Sequence, residues 1–122
     1  MTYTVDNQEN YTLITFNAAD LAPASAELMA NKQNIVNENQ KYLILDLSTI
    51  KTASPESLKV LQDLNSAANE LHGIFILTHV DDAIDAGAEK FDFNIIPTVE
   101  EAVDFVFIEQ IEKEYFSDEE PE

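Results

Sequence analysis

The stretch Tyr42–Leu71, YLILDLSTIKTASPESLKVLQDLNSAANEL, constrains the fold more than any other part of the chain. It opens with a run of consecutive apolar, β-favouring residues, Tyr42–Leu45, and stops on Asp46. An uninterrupted apolar run this short suits a strand covered on both faces rather than one with a wet side. After a polar turn, Leu58, Leu61, Leu64, Ala68 and Leu71 recur every three or four residues, which sets them on one helical face. Ser54 is placed to cap that helix, Pro55 fits its first position, and Glu56 suits the positive end of its dipole. Gly73 closes the helix, where a left-handed residue is expected, and Ile74–Leu77 is a second short apolar run. Strand, helix and strand of these lengths form a βαβ unit, with parallel pairing and a right-handed crossover.

The flanking segments extend this unit. Thr2–Val5 and Tyr11–Phe16 are β-favouring and separated by the polar Asp6–Asn10, which predicts a hairpin. Asp20 is placed to cap a helix running to about Val36, with Pro23 in its first turn and Leu21, Ala24, Leu28 and Met29 as its buried stripe. No signal fixes the boundary within the polar Asn31–Lys41. Asp81–Lys90 is a short helix carrying Ala83, Ile84 and Ala88, interrupted by Gly87, and Phe91–Ile96 returns as a loop or a brief edge strand. Thr98-Val99-Glu100-Glu101 matches a capping box and starts a last helix expected to end near Tyr115. Val99, Ala102, Val103 and Val106 form its core stripe, and Phe105, Ile108 and Tyr115 a second apolar line. Two readings of that line stand: a face offered to a partner, such as a second copy in a homodimer through the C-terminal helix, or a helix wedged between the sheet and another helix. The expectation is one domain over residues 1–115 and an acidic, disordered tail over 116–122.

Charge narrows the function classes. Twenty-four acidic residues against six basic ones give a net charge of −18. Such a chain repels phosphate backbones and anionic lipid, so neither nucleic acid nor a membrane is an expected partner. An acidic surface also simply maintains solubility, and a basic protein partner is the functional counterpart of that reading. No cysteine is present, which removes disulfides, thiolate metal sites and cysteine nucleophiles and fits a cytoplasmic protein. No secretion signal or membrane span is expected. The two glycines, Gly73 and Gly87, are too few for a phosphate-cradling loop, and His72 and His79 have no metal-ligand spacing. No metal, cofactor or catalytic residue is therefore expected. Asp46, at the end of a buried strand, is the best-placed carboxylate; a functional role and a turn-stabilising role remain open for it.

The serines offer a different chemistry. A phosphoryl group on a serine at a helix N-terminus meets free amides and a favourable dipole, so Ser54 and Ser57 are candidate phosphoacceptors. The plain alternative is that Ser54 is only a cap.

The segment LILDLSTIKTASPESLKVL, with Gly73-Ile74-Phe75-Ile76-Leu77 and Ile96-Pro97-Thr98-Val99-Glu100-Glu101-Ala102-Val103, resembles the STAS family, the domains shared by sulfate transporters and bacterial anti-sigma factor antagonists. The resemblance runs from Thr2 to about Glu114, and the C-terminal IPTVEEAVDFVFIEQIEKE looks like the small stand-alone antagonist-like proteins of Bacteroidetes. It implies an α/β fold with a four- to five-stranded mixed sheet and helices packed on it. It implies no catalysis, and a regulatory role through binding an anti-sigma factor of the serine-kinase type, with release on phosphorylation. The family pattern at the switch is Asp-Ser-Ser-Gly-Leu, and the matching positions here are Ser54, Pro55, Glu56, Ser57 and Leu58. Glu56 replaces the usual phosphoacceptor and Pro55 stiffens the turn. The switch is thus degenerate: locked by a permanent carboxylate, released from kinase control, or moved to Ser54 or Ser57. The expected binding surface is Ser54–Leu58 together with the turn at Asp20. A small-ligand or nucleotide-binding module and a self-associating structural subunit are the rival classes.

Overall fold

The computed structural model describes the backbone of residues 2–119 and the side-chain surroundings of residues 2–113. Its elements, in chain order, are β1 (Tyr3–Asn7), β2 (Thr12–Phe16), α1 (Leu21–Ala30), α2 (Lys32–Ile35), β3 (Tyr42–Asp46), α3 (Pro55–Glu70), β4 (Ile74–Thr78), α4 (Asp82–Ala88), β5 (Asn94–Ile96) and α5 (Val99–Glu119). The strands form one five-stranded mixed sheet in the order β1-β2-β3-β4-β5. The β1–β2 hairpin is antiparallel, and β2, β3, β4 and β5 pair in parallel. Each parallel step moves one strand over in the same direction, so right-handed crossovers deliver their helices to the same face.

The alternation of side chains along each strand divides the core accordingly. Ile14, Phe16, Leu43, Leu45, Phe75 and Leu77 point to the face packed by α1, α3 and α4, where they meet Leu21, Leu28, Leu58, Leu61, Leu64 and Ile84. Ile44, Ile74 and Ile76 point to the other face, which α5 covers with Ala102 and Val106. Burial on both sides explains the unbroken apolar sequences of β3 and β4; all of β4 is buried.

Several local expectations change. The helix expected to reach Val36 breaks at Asn31, whose Nδ2 donates to the Glu27 carbonyl at 3.0 Å, and resumes as the short α2. Met29 is 38% exposed, and Ser25 takes a buried place on that helix instead. At the end of α3 the left-handed residue is His72, with φ 65°, not Gly73. The amides of His72 and Gly73 donate to the carbonyls of Asn69 and Ala68, which makes a Schellman ending. Gly73 is required by proximity: a β-carbon there would overlap the Lys41 carbonyl and lie 2.6 Å from Lys41 Cβ. In the capping box at α5, the Glu101 amide donates to Thr98 Oγ1 at 3.1 Å, and the Thr98 hydroxyl donates to Glu101 Oε1 at 3.0 Å. The glutamate thus binds the cap's hydroxyl. The α5 helix continues to Glu119, past its expected end at Tyr115, and the last three positions of the tail, 120–122, lie outside the described residues.

Candidate functional site at the carboxyl ends of the parallel strands

Parallel strands gather the loops that follow them at one pole, the usual place for functional groups in an α/β sheet. Here those loops follow Phe16, Asp46, Thr78 and Ile96. The loop between β3 and α3 is bolted down along its length. The Leu47 amide donates to the Thr78 carbonyl at 3.0 Å, and Thr78 Oγ1 donates back to the Leu45 carbonyl at 2.9 Å. Thr49 Oγ1 lies 2.9 Å and 3.0 Å from the carbonyls of Phe16 and Ala18. The Lys51 and Thr52 amides both donate to the Ala19 carbonyl, and the Leu21 amide donates to the Thr52 carbonyl. Leu47 and Ile50 anchor the loop in the core. These bonds set Asp20 and the start of α1 beside the start of α3, so the two places singled out in the sequence are one surface.

Ser54 caps α3. Its Oγ accepts the Ser57 amide at 3.2 Å, and Pro55 occupies the first turn. Pro55 and Glu56 are exposed, Ser54 is half-buried, and Asp20 is exposed with its carboxylate accepting the Ala22 amide at 3.1 Å. The other two residues of the expected surface point inward. Ser57 is 2% exposed, its hydroxyl donating to the Ser54 carbonyl at 2.8 Å. Leu58 is 3% exposed and packs toward α4, where a β-carbon on Gly87 would come within 3.2 Å of it. The outward set is therefore Asp20, Ser54, Pro55 and Glu56. Asp46 takes the turn role: its Oδ1 accepts the Ser48 amide at 2.9 Å.

Two features of this pole carried no signal in the sequence. Lys51 Nζ reaches Asp81 Oδ2 at 3.4 Å, and Asp81 caps α4 through the Ala83 amide at 2.9 Å. The Ala83 bond, with Lys51 as a smaller contributor, holds the Asp81 carboxyl below its ordinary range. His79 adopts φ 54°, a left-handed conformation unusual for a non-glycine residue, with its amide donating to the Pro97 carbonyl. Neither histidine belongs to a metal-like cluster among the described residues.

A surface cleft lies at the opposite pole, with a volume of about 470 Å³ and walls that include Asn10, Tyr11, Lys41, Tyr42, Gln110 and Lys113. It shares no residue with the Ser54 surface. No helix among the described residues is long and apolar enough to cross a membrane.

No protein-family model and no curated protein matches the chain. Solved structures do. A Thermotoga maritima protein assigned as an anti-sigma factor antagonist superposes with a TM-score of 0.73 at 16% identity, over 85% of this chain and 93% of that one. RsbS from Moorella thermoacetica, solved as a serine-to-glutamate variant, gives a TM-score of 0.67 at 18% identity, over 87% and 95% of the two chains. An anti-sigma-factor antagonist (STAS) domain protein from Planctomyces limnophilus gives 0.69 at 15% identity, over 85% and 96%. At such identities the likeness is one of architecture, and it spans nearly the whole of each relative: the chain has the STAS fold of the anti-sigma factor antagonists.

Proposed function

We propose that this chain is a non-enzymatic regulatory domain, acting in the cytoplasm, that binds a protein partner through Asp20, Ser54, Pro55 and Glu56. The observation that carries the reading is the exposed Pro55-Glu56 pair at the first turn of α3, on a loop bonded backbone to backbone with the start of α1. A rigid, exposed and acidic pair of helix starts suits recognition by a cationic protein surface. The likeness in fold to anti-sigma factor antagonists supports an anti-sigma factor of the serine-kinase type, or a relative of it, as the partner, and transcription control as the setting.

Glu56 stands where the resemblance puts the phosphoacceptor. A carboxylate brings one charge and two oxygens, against up to two charges and three oxygens for a phosphoserine, so it imitates the modified state in part. Ser57 is a poor substitute acceptor, because reaching its buried hydroxyl requires unwinding the first turn of α3. Ser54 is more accessible, and a phosphate there would meet the same free amides its hydroxyl now caps. The reading is therefore a switch fixed by Glu56, with Ser54 as its one remaining acceptor.

The test is co-elution with the serine-kinase anti-sigma factor encoded in the same genome, followed by mass measurement after ATP is added. A complex that Glu56→Lys abolishes supports the binding surface. No complex with either wild type or Glu56→Ser sinks it. A single added phosphoryl group mapped to Ser54 identifies a displaced acceptor, and phosphorylation of Glu56→Ser alone identifies a locked switch. The ligand-binding alternative has the cleft at the opposite pole as its site. Heat on titration with ATP or GTP, lost on changing Tyr42 or Lys113, would put that reading first.

A further inference from the structure

The α5 helix carries a second surface that the Ser54 pole does not use. Its inner side is fully engaged: Ala102 and Val106 are completely buried against Ile44, Ile74 and Ile76. Its one lysine before residue 114, Lys113, is turned the same way, with Nζ donating to the His72 carbonyl and lying 5.5 Å from the centre of the Tyr42 ring. On the outer side Phe107, Ile108 and Ile111 are 39%, 54% and 60% exposed. Ile108 and Ile111 are the two most exposed large apolar residues in the described part of the molecule. Helical spacing places Asp104, then Phe107 and Ile108, then Ile111 and Glu112 on successive turns of this side, and Glu100 and Glu101 precede them. All four of those carboxylates are exposed.

We infer that this face docks a basic amphipathic helix of a partner protein. Leucine-type side chains on such a helix would seat on Phe107, Ile108 and Ile111. Its lysines or arginines would meet Asp104 and Glu112 at the edges. The charges argue against the other occupants. A second copy brings the same four carboxylates to a face that has no cation of its own, in a chain of net charge −18. An anionic membrane is repelled for the same reason. The extent of the patch agrees, since a standard protein–protein interface takes about 800 Å² from each side, far beyond three side chains, whereas one helix laid along α5 matches it. The inference does not depend on the Ser54 surface, which lies on the helices of the other sheet face.

The experiment uses the full chain and two synthetic peptides of one composition, leucine and lysine. One is patterned as an amphipathic helix and the other is scrambled so that no apolar face forms, and both are followed by fluorescence anisotropy. The patterned peptide is expected to bind about tenfold more tightly than the scrambled one, with affinity falling as salt is added. Ile108→Ser with Ile111→Ser, two exposed changes whose thermal midpoint checks the fold, should weaken the patterned peptide by about tenfold or more. Asp104→Lys with Glu112→Lys should do likewise and remove most of the salt dependence. Glu89→Lys, an equal change of charge at the exposed end of α4 on the other sheet face, should leave the affinity within twofold of wild type. Equal binding of both peptides, or an Ile108/Ile111 variant within twofold of wild type, overturns the proposal. A dimer by light scattering that the same serine variant dissolves also overturns it, in favour of a second copy.

Discussion

The two faces of the sheet are built to different standards. On one, α3 buries Ser57, Leu58, Leu61, Leu64, Asn65 and Ala68 between its neighbouring helices α1 and α4 and the apolar side of the sheet. On the other, α5 packs with only Ala102 and Val106 fully buried among its described residues, and its outer side is still apolar. The first face is a scaffold, and it holds the Ser54–Glu56 turn where it is. The second is a cover whose remaining apolar surface is free for another use. This separates rigidity from availability: the proposed switch sits on the more deeply buried of these two helices, and the proposed helix-docking face on the less enclosed one.

Truncation in each core tests that contrast most directly. Leu61→Ala, at a site with no solvent exposure, should cost about 2–5 kcal/mol by denaturant unfolding, because the crowded α3 face cannot collapse around the void. Val106→Ala on α5 should cost about 1–2 kcal/mol, since fewer atoms are removed and a single covering helix can settle inward. Equal losses for the two variants would erase the distinction between scaffold and cover.

The faces meet at the C-terminal end of α3, where Lys113 from α5 donates to the carbonyl of His72. His72 holds φ 65° without being glycine, a conformation that costs a side-chain-bearing residue about 1 kcal/mol. His72→Gly should therefore stabilise the chain by up to about 1 kcal/mol while leaving the Lys113 bond to the backbone in place. An unchanged unfolding midpoint would show that the Schellman ending already absorbs the strain. Gly73→Ala is the matching negative control, expected to destabilise because its β-carbon has no room beside Lys41.

The α3 face was legible in the sequence because its signals are local. Ser54, Pro55, Glu56 and the leucine stripe announce a capped amphipathic helix with no reference to the rest of the chain, and each takes its expected place. The sheet followed from the unbroken apolar strands Tyr42–Leu45 and Ile74–Leu77, whose length and spacing around one helix suit parallel, doubly covered pairing. What failed was decided at long range. Gly73 was assigned a left-handed turn, but its constraint is the Lys41 carbonyl some thirty positions away in sequence, and His72 took the left-handed place against its own preference. Leu58 stood both in the leucine stripe and, by resemblance, in the expected binding surface; the structure buries it as the stripe predicts, with α4 close by at Gly87. Of the second apolar line on α5, Phe105 packs against the sheet, Ile108 is exposed, and the Tyr115 side chain lies outside the described residues. Phe107 and Ile111 were missed because a helix with apolar residues on most sides does not declare which side the sheet will take. The closeness of Asp20 to Ser54 rests on backbone bonds from Lys51 and Thr52 to Ala19, and no side-chain pattern encodes those.

The smallest expected effect concerns how the helix starts on the two faces respond to acid. On the scaffold face α4 begins at Asp81, whose carboxylate accepts the Ala83 amide at 2.9 Å and stands near Lys51. On the cover face α5 begins at Thr98, where the Glu101 amide is accepted by a hydroxyl that does not titrate. The Asp81 carboxyl is held below its ordinary value of 3.8, chiefly by the Ala83 amide. A group depressed on folding adds stability that is complete above its unfolded value and disappears as pH falls through the folded one. The bond from Ala83 should therefore persist at pH 5 and fade below 3.8, while the bond from Glu101 to Thr98 changes less. Amide exchange, corrected for the intrinsic pH dependence, measures both positions in one sample. The expected outcome is a loss of protection at Ala83 before Glu101 as acid is added, with Asp81→Asn flattening the response at Ala83 alone. Parallel loss at both amides would mean that acid acts on the whole fold through its carboxylates, and the two helix starts would then differ in chemistry without differing in stability.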